Sequence, residues 1–140
     1  MRAVPGVTGL ALALHATTAV ATCGICAQDR IAAVYDHGSI VQALDRKHYV
    51  AFFAIDGTLA PRARHVIEVL AESTFAVDKG SARVSVKAAA LSLAFDPQRV
   101  AFAAVQRILD RKLAAIRLSQ LPMRIMDELS KLNRVGQVFD

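Results

Sequence analysis

The sequence predicts an α+β sandwich, a four-stranded sheet crossed by two helices, and three observations predict it. The run KHYVAFFAID (47–56) is rich in aromatic and β-branched residues, the composition of a buried strand. Two short strand-like stretches, SARVSVK (81–87) and AALSLAF (89–95), stand close together, and the second alternates Leu91, Leu93 and Phe95 with Ala90, Ser92 and Ala94. Helical spacing occurs on either side of that pair, in PRARHVIEVLAEST (61–74) and DPQRVAFAAVQRILDRK (96–112).

Taken in order, CAQDRIAAVYDHGSIVQALDRK (26–47) reads as one or two short helices. Ile31, Val34 and Tyr35, then Ile40, Val41 and Leu44, recur at helical spacing, with a break at His37-Gly38. The first strand follows. In the next helix Pro61 suits the first turn, Val66, Ile67 and Leu70 are expected to face inward, and Arg64, Glu68 and Glu72 to face water. Asp96 is expected to cap the second core helix, with Pro97 at its first position. LAAIRL (113–118) is the candidate fourth strand, which completes the β-α-β-β-α-β order of a split βαβ, ferredoxin-like sandwich.

SQLPMRIMDELSKLN (119–133) is expected to be an extra carboxy-terminal amphipathic helix on the stripe Ile125, Leu129 and Leu132. The strand YVAFFAI (49–55) is apolar at every position, which predicts a sheet covered on both faces there. The amino-terminal helices, the carboxy-terminal helix or both are therefore expected on the face such sandwiches leave open, where Ala90, Ser92 and Ala94 would let a helix lie close. The expected divisions are a signal peptide at 1–21, a helical segment carrying the cysteines at 22–46, the βαββαβ domain at 47–118, and the terminal helix and tail at 119–140.

A chain of 140 residues with 54% hydrophobic and 21% charged residues suits one core and carries no disorder signature. Its formal charge of +5 is interleaved with acids along the chain, and with no Trp and two Tyr it lacks the clustered, aromatic-backed footprint of a nucleic-acid binder. MRAVPGVTGLALALHATTAVA has a basic start at Arg2, an apolar run at 10–14 and the small residues Ala19 and Ala21 at a cleavage position. Cleavage after Ala21 and a periplasmic or secreted location are expected, with no stable membrane insertion of the mature chain. A hydrophobic helix retained on a cytosolic protein is the alternative. Thr22 weakens a lipoprotein reading at Cys23.

Residues 48–118 resemble the heavy-metal-associated domain of copper chaperones, metal-ATPase modules and mercury-binding periplasmic proteins. RVSVKAAALSLAFDPQRVAFAAVQRIL (83–109) is similar to that family's strand-turn-strand followed by Asp-Pro and a helix. The resemblance implies a metal loop of the form Gly-Met-Thr-Cys-x-x-Cys after the first strand. Here Gly57 keeps the glycine, Thr58 and Leu59 stand for Met-Thr, and Ala60 and Ala63 stand where the cysteines belong. IDGTL (55–59) also looks like the phosphotransfer motif of haloacid-dehalogenase-type hydrolases, but Ala54 occupies the position of the nucleophilic carboxylate and only Asp56 remains. The loop is expected to be silent in both chemistries, and the chain not to be an enzyme.

The only cysteines are Cys23 and Cys26, in TCGICAQDR (22–30). A CxxC at a helix start would place two sulfurs about one turn apart and favour the thiolate. Such a pair suits Cu(I) or another thiophilic ion, whereas Zn would need two further ligands. Asp29, three residues after Cys26, and His37 are the candidates, with His48 more distant. Met123 and Met126 offer thioethers, although packing explains Met126 better. His37 beside Gly38 also reads as a turn residue, and His65 as solvated.

Three functions fit these residues. The first is an exported metal-binding protein that relays the ion to a protein partner. The second is thiol-disulfide exchange through Cys-Gly-Ile-Cys. The third is an interaction module in which the cysteines are incidental or oxidised to a structural pair.

Overall fold

The computed structural model describes residues 26–127, together with Ala3. Along the chain run α1 (Ala27–Ala33), α2 (His37–Asp45), β1 (Tyr49–Asp56), α3 (Ala63–Glu72), β2 (Arg83–Ser85), β3 (Ala90–Phe95), α4 (Phe102–Ala114) and β4 (Ser119–Met126). The strands form one antiparallel sheet in the order β2-β3-β1-β4, so β1 is central, as its composition predicts. From β1 onward the order is βαββαβ, and α1 and α2 precede it.

The two parities of β1 serve two cores. Ala51, Phe53 and Ile55 join Leu91, Leu93 and Phe95 of β3 and the buried residues Ile67, Val105, Leu109 and Leu113 of α3 and α4. Val50 and Phe52 join Ala90 and Ala94 under Ile31, Val34, Ile40 and Leu44 of α1 and α2. The expected covering of the second face is thus supplied by the amino-terminal helices. Burying a side chain the size of Phe52 or Phe53 completely contributes roughly 1.5–3 kcal/mol, and both are wholly buried.

Several expectations are corrected. Residues 119–126 are not helical but form β4, paired along β1 from Val50↔Met126 to Asp56↔Ser119. The carboxy-terminal amphipathic helix is therefore overturned there; Ile125 is 39% exposed on the strand, and Leu129 and Leu132 lie outside the described residues. LAAIRL is not a strand either: Leu113 and Ala114 end α4 and the rest turns the corner into β4. The sandwich accordingly extends to Met126 rather than ending at residue 118.

The corner has a definite structure. Leu118 N–H donates to Leu113 C=O at 2.9 Å and Arg117 N–H to Ala114 C=O at 3.0 Å, a Schellman-type closure with Arg117 in the left-handed region at φ 59°. The same closure ends α2, where His48 N–H reaches Ala43 C=O at 2.9 Å around Lys47 at φ 62°. Glycine normally marks these positions, so Arg117 and Lys47 give no stop signal in the sequence.

Helix starts also move. The break between α1 and α2 falls at 34–36, with Asp36 capping α2 through Ser39 N–H at 3.2 Å. Asp96 does not cap α4: its carboxylate accepts from Gln98 N–H at 3.0 Å in a turn, and the helix begins only at Phe102 after Ala101. On α3 the inward stripe is Ala63, Ile67 and Ala71, and Val66 is 46% exposed.

Candidate functional site

β1 ends at Asp56, where Gly57 (φ 122°) opens the β1–α3 loop. A Cβ on Gly57 would meet Leu118 Cδ2 at 2.7 Å and Arg117 O at 2.9 Å, so this loop is pressed against the α4–β4 corner and needs glycine for space as well as for conformation. Asp56 is exposed, and its carboxylate accepts from the Gly57 N–H at 3.0 Å. Ala60 is exposed and Ala63 packs on the core. Neither alanine side chain offers a ligand atom or a nucleophile.

The same end of the sheet receives the amino-terminal segment. Arg30 of α1 donates to Ala89 C=O in the β2–β3 connection at 3.5 Å, and with Asp56, Gln120 and Leu121 it lines a groove of about 370 Å³ at the end of β1. Farther along, Val34 C=O accepts from Ser92 in mid-strand, and residues 34–37 reach the β2 side. The amino terminus of α1 therefore points to the loop end of the sheet. Cys26, its N-cap, lies four residues before Arg30, about 6 Å back along a helix axis, and is exposed.

Of the residues singled out in the sequence, Cys26 and Asp29 share the start of α1, both exposed. Cys23 lies outside the described residues. The helix begins after Cys26 and has seven residues, which leaves it a smaller dipole at Cys26 than a longer helix would offer. His37 opens α2 on the far side of α1, where its Nδ1 is 3.4 Å from the Tyr35 hydroxyl. Seven residues of helix place it ~10 Å or more from the Cys26 end. His48 is farther away still, at the opposite end of β1: Nδ1 is 2.7 Å from Asp78 Oδ2 and Nε2 is 3.8 Å from Asp96 Oδ2. His65 is exposed on α3, while Met126 is buried and Met123 packs beside it in the amino-terminal core.

Among the described residues no three His, Cys, Asp or Glu side chains gather into a metal-holding cluster. Sequence reasoning missed Arg30 and the groove it lines, because their meeting depends on how α1 crosses the sheet.

No family model and no curated protein matches the sequence. Among solved structures the chain is similar to a copper binding domain from HMA7, a P-type ATPase, with 13% identity over 55% of this chain and 96% of that one at a TM-score of 0.46. It is also similar to oxidized MerP from Ralstonia metallidurans CH34, with 13% identity over 54% of this chain and 96% of that one at a TM-score of 0.45.

Proposed function

We propose that this chain is an exported metal-binding protein in which Cys23 and Cys26 hold Cu(I) or another thiophilic ion and pass it to a protein partner by ligand exchange. The observation that carries the reading is the placement of Cys26. Cys26, at the start of α1, lies towards the end of the sheet where Ala60 and Ala63 stand in the positions that the family resemblance gives to thiolates. Thiolate donors would thus be moved from the loop to the amino-terminal segment while staying at the same end of the domain. Two thiolates suffice for a low-coordinate soft ion. A two-thiolate site also agrees with the distant positions of His37 and His48, which argue against a four-ligand zinc centre built on them.

Anaerobic Cu(I) titration of the reduced chain against a competing chelator tests this. One equivalent bound tightly is expected, lost in Cys23→Ser and in Cys26→Ser alike, because a lone thiolate forfeits the chelate's effective concentration. Asp56→Asn and His37→Ala should leave the stoichiometry unchanged. Equal binding by the double-serine variant would overturn the reading. Mass spectrometry of the exported chain checks loss of residues 1–21; a chain still carrying Met1 would defeat the export part.

A further inference from the structure

A cleft of about 940 Å³ runs along the outer edge of β2, on the opposite side of the sheet from β4. Its floor is β2 and the first residues of the following turn, through Lys87; Tyr35 and His37 stand on one wall and Arg64 of α3 on the other. Among the described residues β2 pairs only with β3. An antiparallel edge strand turns alternate N–H and C=O groups outward, where they can accept another strand. Here both layers rise beside that edge without closing over it.

The lining selects a charge. Arg64, Arg83 and Lys87 contribute three cations against the single carboxylate of Asp36, which is already paired with Arg83 at 3.1 Å. Arg64 is 65% exposed and shares Glu68 of its own helix at 3.1 Å, a solvent-screened pair of small energy. Lys87 is exposed and makes no ion pair among the described residues.

The parity of β2 sets where an incoming chain would meet those charges. Arg83 lies opposite Ser92 and Ser85 opposite Ala90, on the α1–α2 face, whereas Val84 lies opposite Leu91 on the α3–α4 face. A strand added to β2 alternates in the same way. Side chains of one parity would approach Arg83 and those of the other Arg64, so acidic residues at either parity find a cation.

We propose that β2 is a docking edge for an extended acidic segment of a partner protein, which adds as a fifth strand alongside Arg83–Ser85 and runs on past the turn that carries Lys87. The three residues of β2 span about 10 Å of strand. Main-chain hydrogen bonds supply the affinity and the cations Arg64, Arg83 and Lys87 the selection. The proposal does not depend on whether the cysteine pair binds metal.

The probe is a fluorescein-labelled octapeptide alternating Glu and Val, titrated into the full chain at low salt and followed by anisotropy and by amide shifts. Saturable binding is expected, with the largest shifts at residues 83–87. Arg64→Ala combined with Lys87→Glu, both exposed positions, should weaken it by roughly fivefold to tenfold. A Lys–Val peptide should not bind. N-methylation of alternate backbone amides of the Glu–Val peptide, in the register facing β2, should abolish binding. Absence of binding by the Glu–Val peptide overturns the proposal. So does equal binding by the N-methylated peptide or by a single-stranded oligonucleotide, which would leave only an unspecific polyanion patch.

Discussion

The Ser92 hydroxyl donates to the main-chain carbonyl of Val34 across 2.9 Å, a buried hydrogen bond between the middle of β3 and the end of α1. Ser92 lies opposite Phe52 on the face that α1 and α2 cover, flanked by Ala90 and Ala94. Small side chains let the helix approach, and the hydroxyl satisfies a carbonyl that the helix end leaves without an intrahelical donor.

Ser92→Ala should therefore cost about 1–2 kcal/mol, because the carbonyl is left buried without its donor. Urea unfolding measures the loss, and hydrogen exchange should show the amides of α1 and α2 opening before those of α3 and α4. Uniform loss of protection across both layers would contradict this role.

Gly57→Ala should destabilise the fold by about 1–3 kcal/mol, combining an unfavourable positive φ with the clash against Arg117 O and Leu118. The effect belongs to the fold. The copper stoichiometry proposed for the cysteines should survive in the fraction that remains folded, as calorimetry and metal titration of the same sample can show.

Arg117→Gly should stabilise the protein by up to about 1 kcal/mol, since a left-handed backbone strains any residue with a Cβ. Arg117 is exposed and lies at φ 59°, so the change costs little packing. A lower thermal midpoint would show that the side chain makes a compensating contact.

Asp36 titrates below its ordinary value of 3.8, held there first by the Ser39 backbone N–H, then by the Ser39 hydroxyl and by Arg83. A carboxylate depressed in the folded state contributes stability above its unfolded pKa and loses it as pH falls through the folded one. The contribution should be complete above 3.8 and fade below it. Thermal melts across pH should show Asp36→Ala less stable than the parent near neutrality, with the difference narrowing in acid. A gap that persists at the acid limit would assign the effect to something other than this ionisation.

Much of the architecture is decided by sequence alone. A strand apolar on both parities, YVAFFAI, has to be central and covered twice, and the large–small alternation of AALSLAF assigns the thicker core to one face and the closer helix to the other. Cys23 and Cys26 as the sole thiols, and alanines in place of loop ligands, are equally plain in the sequence. Tertiary structure decided which segment is the fourth strand. β4 is an edge strand with mostly exposed side chains and Pro122 inside it, so it lacks the alternation that advertises a buried strand, and its apolar residues also fit a helical period. The corner that starts it turns on Arg117, where no glycine marks the bend. Tertiary structure likewise set His37 and His48 far from Cys26, brought Arg30 to the end of β1, and left the β2 edge open beside Arg64, Arg83 and Lys87. Local patterning fixes which residues seek burial. Only chain crossing and register, which join residues distant in sequence, determine what they meet.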